Sequence, residues 1–252
     1  MCRKPCVVLF AALLIGALAS TFWDMTTGLA QPGAEAATDL DADPHLVGWW
    51  RLDEESGKSA ADSSKHEHDG VLTDELSFDA NSAPGRIGRA LKLDGDKGVL
   101  RITEYRGVTG THPRTVAAWI KTATSRGQII SWGENDFGKM WNLGFVRGRL
   151  GVTPHGGYLY INAPIHDDAW HHVAAVVQEA KLPNLHDDVK LYVDGTLAEI
   201  HDIGLLDLWP INTGSDREVE IGRGFKGLID DVRIYDRALS HEDVRALFRS
   251  PG

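Results

Sequence analysis

Hydrophobic and polar residues alternate in short runs along most of the chain, from Leu46 to Tyr235. The runs are separated by clusters of Gly, Asp, Asn and Pro, which favour turns. No long segment in this span repeats its hydrophobic residues at the spacing of a helix. The pattern therefore predicts an antiparallel all-β protein.

Two turn signals set the sidedness of the predicted strands. Asp194-Gly195 is a two-residue turn signal, and pairing outward from it places Val189 and Leu191 on the core side. Arg147-Gly148 joins a second pair of runs in the same way. The second hairpin turns one set of side chains toward the core: Trp141, Leu143, Phe145, Leu150 and Val152. Its opposite face carries Asn142, Gly144, Gly151 and Thr153.

This opposite face is the predicted ligand-binding surface. Two glycines set side by side in mid-strand are tolerated where a ligand or another backbone approaches closely, and tight internal packing explains them equally well. If Leu159 and Ile161 point into the core, Tyr158 and Tyr160 project outward, where their rings either stack on a sugar or simply cover the sheet. The residues assigned to ligand binding are Asn142, Thr153, Tyr158 and Tyr160.

The end of the chain is predicted to be helical. Ser240, followed three residues later by Asp243, resembles a capping box, with Asp in the role usually taken by Glu or Gln. Val244, Leu247 and Phe248 form one apolar stripe at helical spacing. We expect a short C-terminal helix that docks on the β structure.

The first 36 residues are predicted to be a secretory signal peptide. Arg3 and Lys4 precede an apolar run from Val7 to Ala19, and its 13 residues are fewer than the roughly 20 that cross a bilayer as a helix. Cleavage after any of three small-residue motifs is compatible with the sequence, at Ala19, Ala30 or Ala36. An uncleaved N-terminal membrane anchor is the alternative.

The remainder of the chain is predicted to be one domain behind a short linker. The stretch from Gln31 to Pro44 is mostly small, acidic, Pro or Gly with almost nothing to bury, and residues 37–45 are assigned to a flexible linker. Residues 46–252 are assigned to the domain. The predicted location is secreted, periplasmic or at the cell surface.

Charge and cysteine content narrow the possibilities. The 252 residues include 26 Lys and Arg against 36 Asp and Glu, a formal charge of -10. Such a surface repels phosphate backbones and anionic lipid, so nucleic acid is not an expected partner. Both cysteines, Cys2 and Cys6, lie in the predicted signal peptide, so the mature domain has no disulfide. Its hydrophobic core, with or without a bound metal ion, must supply the stability.

Several short motifs occur in a characteristic order along the domain. They are Trp50-Arg51-Leu52-Asp53-Glu54, Asp62-Ser63-Ser64, Gly85-Arg86-Ile87-Gly88-Arg89-Ala90-Leu91, Leu93-Asp94-Gly95, Ala118-Trp119-Ile120, Trp170-His171-His172-Val173-Ala174, Leu191-Tyr192-Val193-Asp194-Gly195, Ile229-Asp230-Asp231-Val232-Arg233-Ile234-Tyr235 and Arg237-Ala238-Leu239-Ser240. In this order they resemble the laminin G-like, secreted bacterial branch of the concanavalin A-like lectin and glucanase superfamily. The resemblance implies a two-sheet antiparallel jelly-roll sandwich whose first and last strands are adjacent. One departure is Lys65 to Asp69, which stands where the family usually has a Gly-Asn turn.

The Asp230-Asp231 pair is the strongest candidate for a metal site. Alternation places Asp230 on the same side as Val232 and Ile234, which predicts a carboxylate aimed at the interior, and a buried charge needs a partner. The resemblance implies a structural calcium ion where the N-terminal strand meets the C-terminal strand, because similar sandwiches hold one there. Its predicted ligands are Asp230, Asp53 and Glu54, with main-chain carbonyls. The alternative is that Asp230 accepts hydrogen bonds from backbone amides or pairs with an arginine.

Catalytic motifs are weak in this sequence. Glu134-Asn135-Asp136 invites comparison with the acids of β-glucanases, but the alternation would require a further acid at position 138, which is Gly138. A hairpin loop is the favoured interpretation. The predicted function is a secreted, non-catalytic recognition module that binds carbohydrate. The alternatives are an adhesion module that binds an extracellular protein and, as a minor one, an enzyme related to glycoside hydrolases.

Overall fold

The computed structural model describes residues 39–96, 98–201 and 209–251. The predicted signal peptide and the first two residues of the predicted linker lie outside these ranges. Within them, the chain forms two antiparallel sheets of eight strands each and two short helices, Phe78–Asn81 (α1) and His241–Arg249 (α2). The prediction of a two-sheet jelly-roll sandwich with a short C-terminal helix is confirmed. No helix in the described ranges is long and apolar enough to span a membrane.

Sheet A is built around the C-terminal strand. In spatial order its strands are β14 (Thr196–Leu197), β13 (Val189–Val193), β12 (Trp170–Val177), β7 (Arg114–Lys121), β16 (Lys226–Tyr235), β5 (Arg89–Asp94) and β4 (Ser82–Pro84). The eighth strand, β1 (Leu46–Trp50), pairs with the second half of β16. The first and last strands of the domain are therefore adjacent, as predicted.

Sheet B lies against sheet A. In spatial order its strands are β11 (Leu159–Tyr160), β10 (Arg149–Val152), β9 (Met140–Val146), β8 (Gln128–Gly133), β15 (Arg217–Ile221), β6 (Leu100–Ile102), β3 (Gly70–Leu72) and β2 (Ser59–Ala60). The β9–β10 hairpin has the predicted register, with Gly144 opposite Gly151 and Leu143 opposite Val152.

The main hydrophobic core fills the space between the two sheets. Its largest fully buried apolar side chains include Trp50, Trp132 and Trp141. Val232 and Ile234 of β16 are both 0% exposed and belong to this core. Inward-facing residues of both sheets pack together, which is how a domain without disulfides buries enough apolar surface to fold.

A second apolar cluster covers the outer face of sheet A. It contains Leu40, Leu46, Trp49, Ala117, Ala174, Val176, Tyr192, Tyr235, Leu239, Val244 and Leu247. The helix α2 packs here through Val244 and Leu247. Its N-terminus has the predicted capping box, because Asp243 N donates to Ser240 Oγ and Ser240 N donates to Asp243 Oδ2, both at 3.1 Å.

Residues 39–45 also pack on this face, although the sequence predicts a flexible linker there. Leu40 is 6% exposed, within the second apolar cluster. The Asp43 carboxylate accepts hydrogen bonds at 2.9 and 2.6 Å from the guanidinium group of Arg237. The folded unit therefore begins before Leu46. Composition suggested a linker because few apolar residues are present, but one leucine and the paired acids are enough to fix the segment.

A β-bulge in β16 overturns the predicted direction of Asp230. The register between β16 and β7 shifts at Asp230-Asp231, and Asp231 has a φ of 49°. Because the bulge adds one residue, Ile229 and Val232 both face the core, whereas Asp230 lies opposite Trp119 on the outer side of sheet A. The prediction of a carboxylate aimed between the sheets is therefore wrong.

Candidate functional site

The outer face of sheet B contains the predicted ligand-binding residues. Asn142, Thr153, Tyr158 and Tyr160 lie on or beside β9, β10 and β11, and we refer to these four residues as the tyrosine face. Leu159 and Ile161 are each 2% exposed in the main core. Since neighbouring residues of a strand point to opposite sides, Tyr158 and Tyr160 project outward, as predicted.

A row of three neighbouring rings forms the centre of the tyrosine face. The Tyr158 and Tyr160 ring centroids are 5.7 Å apart, and the Tyr160 and His201 centroids are 5.1 Å apart with nearly parallel planes. The guanidinium carbon of Arg147 lies 4.6 Å from the Tyr158 ring centroid. Tyr160 is 8% exposed, so its neighbours cover most of it, whereas Tyr158 is partly exposed. His201 is also partly exposed, so Tyr158 and His201 are the accessible rings of the row.

The two mid-strand glycines are explained by packing between strands. A Cβ atom on Gly144 would lie 2.6 Å from Gly127 O, and one on Gly151 would lie 2.3 Å from Leu159 O. Both distances are too short for any side chain. Of the two explanations left open by the sequence, close backbone approach accounts for both glycines, so they are not evidence of a ligand.

The polar groups of the tyrosine face differ in availability. The Thr153 hydroxyl donates to Gly157 O at 2.5 Å and accepts from His155 N at 3.2 Å, so it is occupied by its own loop. The Asn142 side-chain oxygen is buried and has no hydrogen-bond partner among the described residues. A buried carbonyl without a donor is uncommon in folded proteins. The Asn142 oxygen is therefore unpartnered but enclosed by the protein.

The three predicted calcium ligands each bind backbone amides instead. Asp230 Oδ2 accepts from Arg86 N at 2.7 Å and from Ile87 N at 2.9 Å. Asp53 Oδ1 accepts from Arg89 N at 2.7 Å, and Glu54 Oε1 accepts from Ala61 N at 2.8 Å. For Asp230 this matches the alternative in which amides satisfy the carboxylate.

Two carboxylate oxygens nevertheless remain without partners. Asp230 Oδ1 and Glu54 Oε2 are buried and accept no hydrogen bond from any described residue. Burial raises the pKa of Asp230 to about 7, and the nearby charges of Asp231 and Asp53 add to this effect. No group of three or more His, Cys, Asp or Glu side chains in the described ranges is placed to hold a metal ion.

Asp230 belongs to a buried polar row that crosses sheet A. Register places it beside Trp119, which in turn lies beside His172. Trp119 Nε1 and His172 Nδ1 also have no partner among the described residues. Burial lowers the pKa of His172 to about 3, helped by the positive charge of Arg233. The row thus holds a neutral imidazole and a carboxyl group that ionises near neutral pH.

The acids of Glu134-Asn135-Asp136 lie in the β8–β9 loop, as predicted. Lys139 Nζ contacts Glu134 Oε1 at 3.3 Å and Asp136 Oδ2 at 3.0 Å. The hydrogen bond from Lys139 is the main cause that lowers the pKa of Asp136. A glycosidase acid needs a raised pKa, so this arrangement does not favour hydrolysis.

The same loop contains an aromatic residue that sequence reasoning missed. Phe137 is 52% exposed and stacks on Trp209, which is 45% exposed. The available signal was a Phe beside Gly138 in an otherwise polar hairpin loop, where no core position exists to receive it.

The architecture places the protein among the two-sheet jelly-roll sandwiches. Residues 94–245 match the family model Laminin_G_3, described as the concanavalin A-like lectin/glucanases superfamily. The chain belongs to this family. The predicted family resemblance is confirmed. No curated protein matches the sequence.

Solved structures share the fold at low sequence identity. Domain 4 of AbnA, a GH43 extracellular arabinanase from Geobacillus stearothermophilus solved in complex with arabinotriose, is 21% identical with a TM-score of 0.60, and the match covers 81% of this chain and 98% of that domain. The botulinum neurotoxin serotype G binding domain is 16% identical with a TM-score of 0.52, covering 81% of this chain and 50% of the other. A Trypanosoma rangeli sialidase is 14% identical with a TM-score of 0.51, covering 82% and 33%. This chain thus spans nearly all of the arabinanase domain but only half or less of the other two.

Proposed function

We propose that this protein is a secreted, non-catalytic recognition module that binds carbohydrate on the tyrosine face. The observation that carries the proposal is the row of neighbouring rings on the outer face of sheet B, in which the ring of Tyr158 is partly exposed. Membership of a family in the concanavalin A-like lectin/glucanases superfamily also supports carbohydrate as the class of ligand.

The chemistry of the tyrosine face suits a sugar. A pyranose or furanose ring offers an apolar C–H surface that packs on an aromatic ring, and its hydroxyls need both donors and acceptors. Arg147, above the Tyr158 ring, supplies donors. The salt bridges from Lys139 to the loop acids Glu134 and Asp136 support the non-catalytic part of the proposal.

A glycan array with the purified protein tests this proposal. We expect retention of at least one class of oligosaccharide, and Tyr158→Ala to weaken binding about tenfold because the stacking surface is lost. Tyr158→Phe keeps the ring and is the matched control. Tyr160→Ala is less informative because Tyr160 is 8% exposed and its truncation leaves a cavity.

Three experimental outcomes separate this proposal from its alternatives. An array on which no glycan is retained contradicts the proposal. Capture of an extracellular protein that free sugars do not displace would favour the adhesion module. Turnover of a β-glucan that Glu134→Gln abolishes would favour the hydrolase.

A structural calcium ion is a further part of the proposal. The buried oxygens Asp230 Oδ1 and Glu54 Oε2, both without a partner among the described residues, support it. A cation that binds the folded state well below its working concentration raises the melting midpoint by several degrees. We expect the midpoint in excess calcium to exceed that in chelator, and Asp230→Asn to remove the difference. Equal midpoints for the wild-type protein would discard the ion.

A further inference from the structure

Two exposed aromatic side chains meet at the end of the β8–β9 hairpin. Five large hydrophobic side chains in the described ranges are exposed, and two of them are aromatic, Phe137 at 52% and Trp209 at 45%. Their ring centroids are 5.5 Å apart with planes at 15°, so they stack on each other. The His155 ring meets Phe137 edge-on at 5.2 Å. We call Phe137, Trp209 and His155 the aromatic platform.

Folding alone does not account for the platform. A single exposed hydrophobic residue is ordinary, whereas contiguous exposed apolar surface is the kind that marks interaction sites. Each ring hides one face against the other and still leaves about half of its side chain in solvent.

Backbone hydrogen bonds hold the platform in a fixed geometry. Gly138 N donates to His155 O at 2.9 Å, and Asn212 N donates to Gly138 O at 2.8 Å. These bonds tie together the loops that carry Phe137, His155 and Trp209. A binding surface that is ordered before the ligand arrives loses less entropy on binding.

Two glycines make room for this arrangement. Gly138 has a φ of 73°, and a Cβ atom on it would lie 2.6 Å from Pro210 O. Gly156 has a φ of 85°, and a Cβ atom on it would lie 2.2 Å from the Phe137 ring. Both positions therefore exclude side chains, and the Gly156 contact is with the platform ring itself.

The rim of the platform is polar and well placed for hydroxyl groups. Lys139 Nζ bridges Glu134 Oε1 and Asp136 Oδ2 within the same loop as Phe137, and all three groups reach solvent. His155 N donates to the Thr153 hydroxyl at 3.2 Å, which joins the platform to the tyrosine face. Exposed rings with charged hydrogen-bonding groups around them suit a sugar ring better than a protein interface. A stable protein interface needs about 800 Å² on each partner around an apolar centre, and this patch holds two rings inside a charged rim.

We propose that the aromatic platform is a second carbohydrate subsite, at which a sugar ring stacks on Phe137 or Trp209 while Lys139 and the neighbouring acids bind its hydroxyls. This inference rests on the proposed function and extends it, because it assigns part of the glycan-binding energy to residues outside the tyrosine face.

The test uses the oligosaccharide that the wild-type protein retains most strongly on the array. We expect Phe137→Ala and Trp209→Ala each to weaken its binding about tenfold, as truncation of a central aromatic does in other interfaces. Trp209→Phe, which keeps a stacking ring, should retain most of the affinity. Because both side chains are exposed, the melting midpoint should hardly change. Leu197→Ala is the matched control, since Leu197 is also 52% exposed but lies on β14.

The outcomes separate the two proposals. If the wild-type protein binds glycan and both platform variants bind it as tightly, the platform is not a subsite and the tyrosine face stands alone. If Tyr158→Ala is silent while the platform variants lose binding, the platform is the main site. If the wild-type protein retains no glycan, the proposed function fails and this inference fails with it. Equal losses in the Leu197→Ala control would show that the effect is not specific to the platform and would overturn the inference.

Discussion

The outer faces of the two sheets differ in the burial of their arginine–carboxylate pairs. On sheet A, α2 and residues 39–45 cover the strands, and Arg233 is buried with its side chain 2% exposed against Asp231 at 3.1 Å. On sheet B, Arg101 is 48% exposed and contacts Glu220 at 3.2 Å. Both are arginine–carboxylate pairs on outward-facing strand positions. One pair holds a covering layer in place, whereas the other faces solvent.

The difference shows which face is available to a ligand. Arg233 also contacts Asp41 of the N-terminal segment at 2.5 Å and lies 4.1 Å from the Trp49 ring centroid. These contacts bury Arg233 beneath the N-terminal segment, so this part of the outer face of sheet A is covered by the protein itself. The proposed glycan contacts lie on and beside sheet B, where no comparable layer of described residues is packed.

Truncation of the buried arginine should have the largest effect. Arg233→Ala leaves the 7%-exposed Asp231 without its cation, and breaking one partner of a buried pair destabilises a protein by about 3–5 kcal/mol. The free energy of unfolding, measured by urea titration, should fall by that amount.

The matched experiment on the open face is Arg101→Ala. Because the Arg101 side chain is 48% exposed, its ion pairs are screened by water, and we expect a loss of under about 1 kcal/mol. Equal losses for Arg233→Ala and Arg101→Ala would break the distinction between the two faces. Added salt is a further check. It should reduce the stability loss caused by Arg101→Ala and leave the loss caused by Arg233→Ala almost unchanged.

The sequence predicts the strands well because the alternation of apolar and polar residues reports burial directly. The β9–β10 register and the capping box at Ser240 follow from local patterns, the neighbouring terminal strands follow from the family resemblance, and the structure contains all three. Asp230 shows where such reasoning fails. One extra residue in a strand reverses every later side chain, and the bulge at Asp230-Asp231 carries no distinctive sequence mark.

The candidate site was predicted less completely, since it depends on contacts distant in sequence. Tyr160 faces outward as alternation requires, but Tyr158 and His201 cover it. Phe137 and Trp209 are far apart in the chain and become neighbours only through the fold. Neither fact can be read from the spacing of residues along one strand.

The polar row on sheet A makes a subtler prediction about pH. In the folded protein, burial raises the pKa of Asp230 to about 7 and lowers the pKa of His172 to about 3. In an unfolded chain the pKa of an Asp is ~3.9 and that of a His is ~6.5. The contribution of Asp230 to stability is fully present below about pH 4 and is lost as pH rises through 7. That of His172 is present above about pH 6.5 and is lost as pH falls toward 3. Between about pH 4 and 6.5 the two slopes oppose each other, each up to about 1.4 kcal/mol per pH unit.

Asp230→Asn should therefore uncover the slope of His172. We expect the variant to lose stability on acidification from about pH 6.5 to 4 more steeply than the wild-type protein, by up to about 1.4 kcal/mol per pH unit, in urea titrations carried out with a chelator present. His172→Gln should change the slope in the opposite direction, which makes it the reciprocal control. If the free energy of unfolding changes with pH in both variants as it does in the wild-type protein, then the two groups titrate normally and the covered face admits water. In that case the contrast between the two faces would lie in their ion pairs alone.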